Sequence, residues 1–358
     1  MIYIHVGFPK VASTTIQNFL FLNRELLKRE GYLYPNLSKD GKSFEMGVSS
    51  RAHNALYVEL RRGTLGATWQ RLHQILDNRE PGQNVILSGE GLIGAFPPDL
   101  RTALGDHEAT ILFYLRDFAR ILPSQYAHRA KQALCIEDFD AFFAQRMEAP
   151  QIRTNDFLGA WAEAFGPERI RVRMLDDRTL VGGDVCLDLL NAVDFATARP
   201  DLEGFAEAKT MNVGLGWKSV EILRDLHGSL SNIRRTARGK TARKEDLLAR
   251  KRRIRSPLLD FAATLALPAA RIGKEMGFTD RGLYLSATQV EEANSRFNTE
   301  VDLLLASDMD ARVTHAPETG ITPRDFLPRI EEIPHAEVAE FLRRLMPQAC
   351  WRLLPPAE

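Results

Sequence analysis

Apolar positions along the chain fall into two kinds of run. Ile2–Val6, Asn84–Ser88 and Thr110–Leu115 are short, continuous and rich in β-branched or aromatic residues. Such runs suit strands buried on both faces of a parallel sheet. Between them apolar residues recur at i, i+3 and i+4. Ile16, Phe19 and Leu20 open a helix expected from Thr15 to about Glu30, and further helices are expected over 51–60 and 69–78. The pattern over 139–165 is again helical, with Trp161 and Phe165 on one face, and 183–190 reads as another helix. Arg169–Leu175 alternates charged and apolar side chains, as a strand with one wet face would. Residues 288–305 form an amphipathic helix of the kind that packs on a sheet. Strands alternating with helices predict an α/β fold: three layers, with a central parallel sheet flanked by helices. Its expected extent is 1–305. Residues 306–358, cut by seven prolines, read as a C-terminal extension wrapping the core or lying at an oligomer contact.

The ends of the three strands carry the polar residues of interest. Gly7 and Pro9 break the first strand, and Lys10, Ser13, Thr14 and Thr15 lead into the helix. The first amides of a helix lack intrahelical acceptors and carry the positive end of its dipole, so a phosphate fits there, beside three hydroxyls and an ammonium. The same residues also fit an ordinary strand-to-helix turn with a hydroxyl N-cap. A Walker loop, G-x-x-x-x-G-K-[ST], is absent, which argues against a P-loop kinase. The second strand ends in Ser88-Gly89-Glu90-Gly91. That places Glu90 at the crevice where open α/β sheets bind ligands, as a catalytic base, a helix cap or an arginine's partner. Arg116 ends the third strand, either to take a phosphate in its planar fork or to pair with Asp117. His53, in the helix expected over 51–60, is a second candidate base or a surface group.

FPKVASTT, residues 8–15, resembles the P-K-[TS]-G-[ST]-T loop of sulfotransferases that use 3′-phosphoadenosine 5′-phosphosulfate (PAPS). YLRDFARILPSQYAHRAK, residues 114–131, is similar to that family's R-[DN]-P-x-x-R-x-x-S-x-Y segment, and Arg116 and Ser124 have its eight-residue spacing. The W-x-x-x-F-G at 161–166 is likewise similar to bacterial carbohydrate sulfotransferases. The resemblance spans roughly residues 1–195 and continues faintly to about 305. It implies a P-loop-like fold and transfer of a sulfuryl group from PAPS to an acceptor hydroxyl, on a glycan or glycan precursor. Pro9, Lys10, Ala12, Ser13, Thr14 and Thr15 would then hold the 5′-phosphosulfate end, with Lys10 at the leaving oxygen. Arg116 and Ser124 would hold the 3′-phosphate, and Glu90, with His53 second, would be the base. Three residues depart from the pattern, the least serious being Phe118 in place of the second motif's proline. Val11 replaces a small polar residue, and Ala12 stands where the family has glycine, so its Cβ meets a backbone that needs φ > 0. That departure keeps open an alternative, a non-catalytic nucleotide- or glycan-binding protein on the same fold.

Composition narrows the partners. The 358 residues carry 47 basic and 47 acidic side chains, so no global field draws the chain to nucleic acid or a membrane. Against that neutral background, Arg234–Arg255 holds eleven lysines and arginines. Arg234, Arg235, Arg238 and Lys240 are candidates to cover an anionic cofactor or glycan, as the family's late basic segment does. Cys135, Cys186 and Cys350 are widely spaced and odd in number, which fits free thiols in a reducing compartment. Neither a leader-like apolar run, a membrane-length span nor a clustered metal-ligand set is present. The expectation is a soluble, cytoplasmic, metal-free transferase, with a homo-oligomer as a further possibility.

Overall fold

The structure is a computed structural model that describes residues 1–8, 10–38, 51–132, 134, 137–149, 152–195, 215–238, 265–280, 284–317, 321, 323, 324 and 329–350. Pro9, Lys240, Cys135 and most of the basic stretch lie outside the described residues. Six strands, β1 (Ile2–Val6), β2 (Tyr32–Leu33), β3 (Asn84–Gly89), β4 (Ala109–Leu115), β5 (Ile170–Met174) and β6 (Asp310–Arg312), form one sheet in the order β2-β3-β1-β4-β5-β6. Every pairing is parallel.

The chain makes two compact units. The first comprises Met1–Phe118, Pro150–Met211 and Asn294–Pro317, and the second Ala119–Ala149, Asn212–Ala293 and Glu318–Glu358. The expected boundary between residues 305 and 306 thus falls inside a segment of the first unit. That unit contains the whole sheet.

Alternation along the strands divides its core. Ile2, Ile4, Val6, Val85, Leu87, Ile111, Phe113 and Val172 face one way and pack with Trp69, Leu72, Leu158 and Trp161 from helices Ala67–Asn78 and Thr154–Phe165. The opposite face carries polar groups. His5 Nδ1 lies 2.9 Å from Ser88 Oγ, and the buried Tyr114 hydroxyl donates to Asp188 at 2.7 Å, from the helix Val185–Ala192. That helix packs beside α1 (Ser13–Leu22), which completes helical layers on both sides.

Three expectations change. The first helix is two, α1 and α2 (Arg24–Arg29), divided at Asn23, whose side-chain amide donates to the Phe19 carbonyl at 2.9 Å. β5 is drier than alternation implies: Arg171 is half-buried, and Arg173 is 2 % exposed and donates to Asp310 Oδ2 at 2.8 Å. Its partner sits on β6, a three-residue strand in what was expected to be the extension.

The second unit is built on aromatic packing. Tyr126 lies against Phe139, Phe142 and Tyr284, with ring centroids 5.1–5.3 Å apart. Its hydroxyl donates to the buried Glu221, which Arg224 also holds at 2.8 Å. The helix His335–Cys350 belongs to this unit and is tied to it by Lys218–Glu337.

Candidate functional site

Sheet order brings three strand ends together. β1 lies between β3 and β4, with Val6 in register with both Gly89 and Phe113. From β1 the chain runs outward to β2, returns through β3 and crosses to β4, so connections leave β1 on opposite sides. The carboxyl ends at such a reversal form the crevice of an open α/β sheet. Lys10 follows β1, Glu90 follows β3 and Arg116 follows β4.

The loop after β1 takes an uncommon backbone path. Lys10 has φ 69° and Ala12 φ 62°, both in the left-handed region that disfavours a Cβ. Ala12 is the N-cap of α1 and has no side chain with which to cap, so the reading of an ordinary turn with a hydroxyl N-cap does not hold. The first helical bond runs from Ile16 N–H to the Ala12 carbonyl at 3.0 Å. The amides of Ser13, Thr14 and Thr15 have no acceptor among the described residues. Left-handed residues that bring successive amides into one concavity make anion nests, and the helix dipole adds to the pull.

Gly7 lies at the centre of this arrangement. A Cβ there would come 2.5 Å from Ser13 Oγ and 3.1 Å from Glu90 Cγ, so only glycine lets these two residues approach over the end of β1. Ser13 is 2 % exposed, yet its hydroxyl has no hydrogen-bond partner of normal geometry among the described residues. Buried hydroxyls are rarely left so. Burial pushes the Lys10 ammonium down from the usual lysine range while Glu90 pulls it back. Burial likewise raises the Glu90 carboxyl, opposed by the Lys10 charge and by the Ser13 hydroxyl. The ammonium and the carboxylate thus act on each other at the head of α1, although Glu90 itself remains open to solvent.

Glu90 is held by the segment ahead of the helix Asn54–Leu60. The His53 amide donates to the Ser88 carbonyl at 2.7 Å, and the Ser88 amide donates back to His53 Nδ1 at 3.0 Å. Asn54 Oδ1 accepts from the Gly91 amide at 2.7 Å. Tyr57 packs against Gly91 and Gly94, where a Cβ would clash with its ring. Both sides of Glu90 are therefore fixed by side chains from one short segment.

The same bonds define His53. With Nδ1 accepting from Ser88, Nε2 carries the proton and donates to the Pro35 carbonyl at 2.8 Å. The ring is 2 % exposed, and burial lowers its pKa to about 4. Neither ring nitrogen has a lone pair to spare for a substrate proton. The sequence signal that singled out this histidine reported its position and not its role.

Arg116 is half-buried at the end of β4. Ser124, also half-buried, lies on the helix Phe118–Lys131 within the second unit. Arg234, Arg235 and Arg238 fall on the last turns of the helix Trp217–Arg238. Among the described residues no group of three or more His, Cys, Asp or Glu could hold a metal ion, and no helix is long and apolar enough to cross a membrane. Asn54 and Tyr57 were not singled out by sequence, and Gly7 only as a strand breaker. The glycine-flanked Glu90 was the signal that could have led to the first two, because closely packed glycines need a neighbour that uses the space.

No family model matches the chain, and neither does any curated protein. Among solved structures, the chain is similar to a sulfotransferase from Alicyclobacillus acidocaldarius, at 16% identity and a TM-score of 0.34, over 59% of this chain and 85% of that one.

Proposed function

We propose that this chain transfers a sulfuryl group from PAPS to an acceptor hydroxyl, most simply one on a carbohydrate. One observation carries the reading: an ammonium, a buried hydroxyl and a carboxylate converge around Gly7 at the head of α1. The residues suit the donor's 5′ end. The amides of Ser13, Thr14 and Thr15, without acceptors among the described residues, and the Ser13 hydroxyl beside Glu90 offer hydrogen bonds that an anionic oxygen would accept. The order of the two motifs along the sequence supports this donor over a nucleoside triphosphate.

PAPS, when bound, supplies an activated sulfuryl group on a phosphate leaving group. Lys10 neutralises charge on the oxygen that departs, and the α1 amides hold the phosphate it belongs to. Glu90 accepts the acceptor hydroxyl's proton as the new S–O bond forms and the bond to the leaving oxygen breaks. A carboxyl whose pKa is raised is a better proton acceptor than an ordinary one, provided that it is ionised at the working pH. Arg116 is proposed for the 3′-phosphate, and a soluble cytoplasmic location is proposed with it.

The test has two arms. Adenosine 3′,5′-bisphosphate is expected to raise the melting temperature, and magnesium ATP to raise it much less. Labelled PAPS with a panel of hydroxylated acceptors is expected to give transfer that Lys10→Ala abolishes. Equal thermal shifts from both nucleotides would refute the donor assignment. A nucleotide shift with no transfer to any acceptor would favour the alternative, a binding protein on this fold.

A further inference from the structure

We propose that the groove along the helix Ala67–Asn78, beside the edge strand β2, binds an anionic oligosaccharide. The groove has a volume of about 800 Å³, inside the ~300–1,000 Å³ typical of ligand sites. Helical spacing presents two parallel rows to it. Gln70, Gln74 and Asn78 make one, and Arg71, Ile75 and Arg79 the other. Lys28 also lines it, following α2's course along the same edge, and Glu80 is the one acidic residue in the lining.

Lys28 is exposed, and Arg71 and Arg79 are half-buried. Among the described residues, Lys28, Arg71 and Arg79 make no ion pair, and Arg79 Nη1 is buried with no hydrogen-bond acceptor. Arg71 Nη1 donates to the Ser38 carbonyl at 3.2 Å, which orients its fork. Unsatisfied guanidinium N–H groups take carboxylate or sulfate oxygens in paired hydrogen bonds. The amide row both donates and accepts, as sugar hydroxyls do. Leu33 and Ile75 add apolar surface for the C–H faces of a sugar ring.

Spacing favours a polymer over a single ion. Arg71 and Arg79 are eight residues apart, or about 12 Å at a rise of 1.5 Å per residue, so one ligand must present two anionic groups to use both. A nucleic acid is disfavoured, because the lining contains no aromatic ring on which a base would stack. The sugar class rests on the acceptor proposed above, and the groove adds the charge that acceptor or its sulfated product would carry.

Calorimetric titration of the full chain tests this without any transfer reaction, so loss of sulfuryl transfer and loss of groove binding are separate results. A heparin hexasaccharide is expected to bind, and maltohexaose, its neutral counterpart in length, is not. Arg71→Gln with Arg79→Gln should weaken heparin binding at least tenfold and leave adenosine 3′,5′-bisphosphate affinity unchanged. Lys28→Gln, a surface substitution that leaves folding alone, should weaken it in the same direction, at least threefold. The proposal is overturned if these variants keep wild-type affinity, or if inorganic sulfate or hexaglutamate binds as tightly as the hexasaccharide. A single-stranded hexanucleotide binding more tightly through the same arginines would overturn it too.

Discussion

Ala12→Gly should stabilise this protein, against the usual effect of placing glycine at the start of a helix. Ala12 sits at φ 62° and ψ 13°, where its Cβ crowds the backbone. A left-handed residue with a Cβ costs about 1–2 kcal/mol, and glycine removes that strain. Glycine's greater freedom in the unfolded chain offsets ~0.4–1 kcal/mol of the gain. The balance is a net stabilisation of ~0.5–1 kcal/mol, or a rise of about 2 °C in melting temperature for a unit of this size. Ala160, exposed on the right-handed helix Thr154–Phe165 of the same unit, is the control. Ala160→Gly should lose about 1 kcal/mol. Urea melts of wild type and both variants, followed by circular dichroism, give the comparison at matched pH. Should Ala12→Gly lose as much stability as the control, residue 12 is not left-handed in solution and the anion nest at the head of α1 is wrong.

Three further outcomes follow from the site and its surroundings. The rate of transfer should rise with pH through a pKa above the ordinary glutamate value, because Glu90 must be ionised to accept a proton and burial raises its carboxyl. Glu90→Gln should remove both that limb of the pH–rate profile and most of the activity. Asn54→Ala should lower kcat about tenfold with little change in adenosine 3′,5′-bisphosphate affinity, since it frees the Gly91 amide and with it one side of Glu90. Asn54→Asp, which can still accept that bond, should restore part of the rate and move the acidic limb upward through its added negative charge. Acid should destabilise the fold between pH 6.5 and 4. His5 and His53 are buried neutral, each with a pKa lowered to about 4. Below pH 6.5 the unfolded chain therefore binds protons that the folded chain refuses. At pH 5 this amounts to about 2 kcal/mol for each histidine. A urea midpoint that does not move between pH 7 and 5 would contradict it.

Much of the first unit is legible in the sequence because its signals are local. β1, β3 and β4 are continuous apolar runs whose observed bounds differ by at most a residue from those expected, and the helices around them follow their apolar stripes. β2 and β6 were not expected. With two and three residues respectively, they have no periodicity to detect and become strands only because a neighbour offers its edge. Arg173 was misread for the same reason. Alternation assigned it to water, whereas the carboxylate that lets it be buried, Asp310, is 137 residues away. His53 shows the limit at the level of chemistry. Its sequence context says nothing of the Ser88 amide and Pro35 carbonyl that occupy its two nitrogens.

The loop itself shows how a left-handed path without glycine can keep its shape. Two strained residues, Lys10 and Ala12, persist in a backbone conformation that neither favours. Such strain survives only where the surroundings over-determine the path. Here β1 is hydrogen-bonded on both sides and fixes the loop's start. At the other end α1 buries Ile16, Phe19 and Leu20 and fixes its direction. Val11, between the two strained residues, is fully buried, so relaxing either one would drag an apolar side chain into water. Val11 therefore anchors the conformation that the Cβ atoms of Lys10 and Ala12 would otherwise disfavour. Burying a valine is worth about 1.5–3 kcal/mol, comparable with the strain at Lys10 and Ala12 together, about 2–4 kcal/mol. Val11→Ser should then weaken nucleotide binding more in the wild-type loop than in an Ala12→Gly background, where less strain has to be held in check. Equal losses in the two backgrounds, read from the thermal shift with adenosine 3′,5′-bisphosphate, would show that Val11 stabilises the core without holding the loop.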